Sequence, residues 1–205
     1  MEHTFYSPKE MLERVEKELD EIPNCDLFNN PKYQKLTEEW CASMFAVGYE
    51  KFISPCKAVV NESKENTEAD FFIKTEGSLI PFQLTEVQAK DRKRGKEYKE
   101  NPDGFKSYMP AKANKNAHEW IFEGIEKKYK KRYAGAEDLN LVVYVNFEVS
   151  MLNYDELLNY LEEFKGKFRS IWLITNTHIC SFFSQTEIGE ICGWGEVRSI
   201  SEYYV

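Results

Sequence analysis

No apolar run in this chain approaches the roughly 20 residues that a membrane-spanning helix needs. The opening segment, MEHTFYSPKEMLERVEKELDE, is charged where a secretory signal would be apolar. A cytoplasmic protein with no membrane partner is therefore expected. The five cysteines (Cys25, Cys41, Cys56, Cys180 and Cys192) are scattered, odd in number and contain no C-x-x-C. That usage predicts free, buried thiols in a reducing compartment, with no disulfide framework and no structural zinc. A Ser-His-Asp order, a phosphate-cradling glycine loop and a dinucleotide fingerprint are also missing, which argues against triad hydrolases and nucleotidases.

What is present suits one substantial core. The chain has 205 residues, of which 42% are hydrophobic and 15% aromatic, and this length favours a single domain over residues 1–205. The formal net charge of −8 argues at first against a phosphate-rich partner. Its distribution reverses that impression. Between Lys90 and Arg132 there are 14 Lys and Arg against 7 Asp and Glu, a local balance of +7, which leaves −15 for the rest of the chain.

Periodicity divides the chain into helices and strands. Residues 1–31 read as an accessory amphipathic helix from Pro8 to Glu21, striped by Met11, Leu12, Val15 and Leu19, and then an irregular segment. A long helix is predicted from Lys32 to Phe52, with Leu36, Trp40, Met44 and Val47 on its apolar face, ended by Ser54-Pro55. Segments Cys56 to Asn61, Ala69 to Thr75 and Leu79 to Gln88 then predict a three-strand antiparallel meander. After a loop from Ala89 to Pro110, Ala113, Ala117, Trp120, Ile121, Gly124, Ile125 and Tyr129 recur at helical spacing, closed by Gly135. The run LNLVVYVNF, Leu139 to Phe147, predicts a strand buried on both faces with a parallel neighbour. An acidic helix Tyr154 to Phe164, strands Ser170 to Thr175 and His178 to Phe183, and a short segment Glu190 to Val197 complete the reading.

The hairpin ADFFIKTEGSLIPFQLTEVQ, Ala69 to Gln88, carries the chemistry. Alternation along a strand points Glu86 and Gln88 the same way, roughly 6 to 7 Å apart. Asp70 joins them only in one register. A three-residue turn, Glu76-Gly77-Ser78, places Asp70 opposite Leu84 and diagonal to Glu86. A two-residue turn, Gly77-Ser78, pairs Asp70 with Thr85 and makes Gln83 and Thr85 the facing set.

Asp70 and the triplet Glu86-Val87-Gln88 resemble the signature of the PD-(D/E)xK, restriction-endonuclease-like nuclease superfamily. Ala69 stands where the motif has Pro, and Gln88 where Lys is usual. The order helix, three strands, helix, strand over residues 32–147 is similar to that superfamily's αβββαβ core. The resemblance implies an α/β (α+β) fold with a central mixed sheet flanked by helices, and residues 148–205 as a C-terminal α/β extension. It further implies Mg²⁺ (or Mn²⁺) held by Asp70 and Glu86, water oriented by Gln88, and a further acid from the preceding helix, with Glu39 preferred over Glu38 and Glu50.

Under this resemblance the expected function is metal-dependent hydrolysis of phosphodiester bonds in DNA, or secondarily RNA, with Lys90, Arg92, Lys93, Arg94 and Lys115 on the backbone. Gln88 also favours an alternative, a catalytically silent nuclease-fold module that binds nucleic acid or a protein. A homodimer is a further partner expectation. Tyr98, Phe105 and Tyr108 are candidates for base stacking, and Asn114 and His118 for facing phosphate. His178 and Cys180 read as structural, and the aromatics Trp172 and Trp194, the latter within Gly193-Trp194-Gly195, as packing residues.

Overall fold

The computed structural model describes residues 4–62, 69–90, 92–100, 113–131, 138–147, 154–164, 166–175, 178–184 and 197–199. Helix α1, Pro8–Asp20, begins at a capping box: Glu10 N–H donates to Ser7 Oγ at 3.3 Å, and Ser7 N–H donates to Glu10 Oε2 at 3.0 Å. Pro8 at the first helical position costs no hydrogen bond, because that N–H lacks a helical partner in any helix. A short helix α2, Asn24–Leu27, and a 3-10 turn, Pro31–Tyr33, lead into α3, Gln34–Phe52. The 3-10 turn makes the long helix start two residues later than its apolar spacing suggests.

Strands β1 (Lys57–Val60), β2 (Phe71–Lys74) and β3 (Leu79–Val87) form the antiparallel meander. Then follow α4 (Arg94–Glu100), α5 (Ala113–Tyr129), β4 (Asn140–Val145), α6 (Tyr154–Leu161) with a 3-10 turn Glu162–Phe164, and strands β5 (Ser170–Ile174), β6 (His178–Ser184) and β7 (Val197–Ser199). Among the described residues, the seven strands lie in chain order in one mixed sheet. β3, β4 and β5 are parallel neighbours, and the other pairs are antiparallel. The C-terminal strands therefore extend the same sheet. Helix α4 lies where a loop was expected, since its sequence RGKEYKE has no apolar stripe to mark it.

The sheet buries both faces. Against one face pack Met11, Leu12 and Val15 of α1 and Cys41 to Tyr49 of α3, over Phe71, Ile73, Ile80, Phe82, Val142, Tyr144 and Trp172. Phe45 is the hub, with ring centroids 4.9 Å from Phe82, 5.5 Å from Trp172 and 5.8 Å from Phe71. Against the other face pack Trp120, Ile121 and Ile125 of α5 and Leu157 and Leu161 of α6, over Val87, Leu141, Val143, Val145, Ile171 and Leu173. Strand β4 serves both cores alternately, which explains its uninterrupted apolar sequence.

A polar thread crosses this apolar interior and fixes three neighbouring strands. Trp172 Nε1–H donates to Ser170 Oγ at 2.7 Å, Ser170 Oγ–H donates to Asn140 Oδ1 at 2.5 Å, and Asn140 Nδ2–H donates to the Pro81 carbonyl at 2.9 Å. Asn140 and Ser170 are fully buried, so each group left unpaired would carry a desolvation cost of about 1 to 3 kcal/mol. Pro81 is tolerated in a central strand because parallel pairing with β4 starts only at the next residue, Phe82 opposite Asn140.

Candidate functional site

The hairpin register differs from both expected ones. Lys74 pairs with Leu79 and Phe71 with Phe82, while Thr75 N–H donates to the Ser78 carbonyl at 2.9 Å, closing a tight turn over residues 75–78. Continued from Phe71, this register sets Asp70 opposite Gln83. Thr75 is free to join the turn because Glu76 and Gly77 alone can span it. β2 begins only at Phe71, and Asp70, just before it, extends the ladder with a side chain. Its N–H donates to the Phe82 carbonyl at 2.8 Å, and its Oδ2 accepts the Leu84 N–H at 2.7 Å.

Lys128 of α5 completes the arrangement. Its Nζ donates to Gln83 Oε1 at 2.6 Å and lies 3.6 Å from Asp70 Oδ2. The Lys128 side chain is 14% exposed and that of Asp70 26%, so the acid is the more accessible partner. Burial pushes the Lys128 amine below its ordinary range, and the nearby Asp70 charge offsets only part of that. Lys131 adds to the lowering, whereas Glu38 of α3 opposes it. Glu38 belongs to the same neighbourhood: its Oε2 is 3.2 Å from Lys35 Nζ, Lys35 reaches the Asn61 carbonyl at 3.4 Å, and Asn61 N–H donates to the Asp70 carbonyl at 2.9 Å. Helices on opposite faces of the sheet thus bring charge to the one edge where β1 has ended and β2 has not yet begun.

Glu86 is not part of this cluster. It shares the α3 face with Phe82 and Leu84, whereas Gln83 and Lys128 meet on the α5 face. Its Oε1 accepts from Asn146 Nδ2, just past the end of β4. The expected Asp70–Glu86 pair is therefore corrected by strand alternation, since Glu86 lies three positions, an odd step, beyond Gln83. Among the described residues, no group of three or more His, Cys, Asp or Glu side chains is arranged to hold a metal ion. Gln88 lies half-buried just beyond β3. Glu39 pairs with Arg14 and so ties α3 to α1, and Glu50 acts on Cys56 near the far end of α3.

The basic residues behave in several ways. Arg92 is turned inward, 4% exposed, with its guanidinium on Glu97 Oε2 at 3.2 Å and on the Asn146 carbonyl at 3.0 Å. Lys90 pairs with Glu123 at 2.7 Å, and Lys93 is exposed. Lys96 pairs with Glu100 at 3.5 Å and Lys130 with Glu126 at 2.7 Å, so acids of the same segment answer much of its positive charge. His118 is buried, stacked on Tyr160, with Nε2 3.4 Å from Glu156 Oε1. Tyr98 is buried and stacks on Phe28 at 4.7 Å. The side chains of Arg94, Asn114, Lys115, His178 and Cys180, together with Phe105, Tyr108, Gly135, Cys192, Gly193, Trp194 and Gly195, lie outside the described residues.

Lys128 escaped the sequence reading, although a signal existed. Ile121, Gly124, Ile125 and Lys128 follow the spacing i, i+3, i+4, i+7, so this lysine sits on the apolar stripe of α5 and not on its solvent side. Gly124 marks the contact: a Cβ there would stand 2.7 Å from Val87 Cγ2.

No protein-family model and no curated protein matches the chain. A solved structure of a Pseudomonas aeruginosa strain PAO1 protein, PA4535, described as a protein of unknown function of the monooxygenase superfamily, is similar to it at 15% identity. The likeness covers 94% of this chain and 93% of that one with a TM-score of 0.49, which transfers neither an activity nor a site. The nuclease superfamily identity and the DNA-binding, phosphodiester-hydrolysing function implied by the sequence resemblance are corrected: strand alternation sets Glu86 on the sheet face opposite Asp70, so the motif on which the resemblance stood is not assembled. Of the expected fold, the mixed sheet flanked by helices stands, without the restriction-endonuclease-like label.

Proposed function

We propose that the protein acts through an acid–base pair, Lys128 and Asp70, on a small polar ligand that enters at the sheet edge just before β2 begins. The observation that carries this reading is a desolvated amine held 3.6 Å from a carboxylate that keeps a quarter of its surface in solvent. Burial lowers the affinity of Lys128 for its proton, which brings proton exchange closer to neutral pH than a surface lysine allows. Gln83 fixes the direction of the amine, and the Leu84 N–H holds the carboxylate in place. Thus neither group needs to reorganise when a ligand presents a hydroxyl, amide or carbonyl to Asp70. Clusters of this kind, with burial and a specific charge partner at an accessible edge, occur disproportionately at functional sites.

The test is a screen of small carboxylic acids, amides and carbonyl compounds by amide chemical-shift mapping on the full chain. Shifts centred on Gln83, Leu84 and Lys128 that vanish in Lys128→Met and in Asp70→Asn are expected. Binding that is indifferent to both substitutions, or no compound that perturbs these residues, would reduce the pair to a structural clamp between α5 and the hairpin.

A further inference from the structure

Helix α5 runs antiparallel to β3 across the crossover that joins β3 to its parallel neighbour β4, and two contacts mark their line of approach. One is Gly124 on Val87, where a Cβ would come within 2.7 Å of Cγ2. The other is Lys128 on Gln83 at 2.6 Å. Gly124 and Lys128 are four apart on one helix row, and Gln83 and Val87 are four apart on one strand face. Four residues advance roughly 6 Å along a helix but roughly 13 Å along a strand. The side chains of Lys128 and Gln83 must span the difference, so their meeting depends on how low the helix lies.

We propose that Gly124 is a positioning residue for the Lys128 centre: by lacking a side chain it lets α5 settle on β3 at the height from which the Lys128 amine reaches both Gln83 and Asp70. This inference rests on the acid–base reading of Lys128. A β-carbon at 124 overlaps Val87, a branched side chain inside a packed core, and the helix is the element able to rise. Raising it admits water to the amine and lengthens both contacts. Renewed solvation and loss of the Asp70 charge move the amine's proton affinity in opposite directions. Burial is the larger influence in the native arrangement, so the net movement is upward.

The experiment follows the Lys128 ε-ammonium by nitrogen-edited NMR through a pH titration, alongside thermal melts, in wild type, Gly124→Ala, Val87→Ala, Val87→Ile and the double variant Gly124→Ala/Val87→Ala. In Gly124→Ala the midpoint should rise towards the ordinary 10.5 and the melting temperature should fall. Val87→Ile presses on the same contact from the strand side and should move the midpoint the same way. The double variant should return the midpoint close to that of Val87→Ala while keeping the stability loss of a trimmed core. If Gly124→Ala fails to fold, Val87→Ile and the double variant carry the comparison. An unchanged midpoint in Gly124→Ala or Val87→Ile, with only the melt affected, would make Gly124 a packing residue and overturn the inference. A wild-type midpoint already at the surface-lysine value is a different failure, since it removes the acid–base reading itself.

Discussion

The Asp70 carboxylate stands in for a missing strand residue, accepting the Leu84 N–H at 2.7 Å just before β2 begins. The same oxygen faces Lys128 at 3.6 Å, so one side chain both completes the hairpin ladder and balances a buried charge. Those two duties can be separated by substitution.

Asp70→Asn retains an oxygen that can accept the Leu84 N–H but removes the charge, whereas Asp70→Ala removes both. Urea denaturation should show a loss of about 3 kcal/mol for Asp70→Ala and about half that for Asp70→Asn. In both variants Lys128 should lose its proton at lower pH than in wild type, because the Asp70 charge is what raises its proton affinity.

Stability against pH provides an independent check on Lys128. Its native proton affinity lies below the unfolded value of 10.5, so the unfolded chain binds more protons in the window between the two. Stability therefore gains from this group as pH rises through the lowered native midpoint to 10.5, and is penalised below it. The difference in unfolding free energy between wild type and Lys128→Met should tilt towards wild type across that window. A flat difference would mean that the amine is not desolvated.

Cys56 behaves in the opposite sense. Burial, followed by the Glu50 charge, pushes its thiol from 9.0 up to about 12, and its Sγ lies 3.8 Å from the Ala46 carbonyl. The native state then holds this proton more tightly, so stability present below pH 9 is lost as pH rises towards 12, on the order of 4 kcal/mol in full. Peptide mapping after iodoacetamide treatment of native protein at pH 8 should find Cys25, which is half-buried, labelled well before Cys56.

Ser170→Ala should cost about 2 kcal/mol or more, because it leaves both Asn140 Oδ1 and Trp172 Nε1–H without the hydroxyl that joins them. Glu86→Ala, on an exposed side chain, should change stability by no more than about 0.5 kcal/mol and leave the Lys128 titration where it was. A titration shift there would place Glu86 electrostatically within the cluster.

Much of the architecture was legible because its signals are periodic. The stripes of α1, α3 and α5, the two-face burial of β4 and its parallel pairing all follow from residue spacing, and the structure agrees to within a residue or two at most ends. The site was legible only in part. Asp70 stood out as an acid beside a strand, but which residues it meets depends on the turn at residues 75–78, where a one-residue change of register exchanges Gln83 for Leu84. Glu86 was drawn in by its closeness in sequence and excluded by strand parity. Lys128 looked like one more charge in a lysine-rich segment until its place on the apolar row was counted. Arg92, grouped with the basic run, is held inward by Glu97 and Asn146, a pairing 54 residues apart on the Asn146 side that no local pattern announces.

The most direct measurement is the titration of the Lys128 ε-ammonium in the full chain. A Lys128 midpoint below the ordinary 10.5, falling further in Asp70→Asn, is the predicted result. A midpoint at the ordinary value and unmoved by Asp70→Asn would contradict the desolvated Lys128–Asp70 pair on which the proposed function rests.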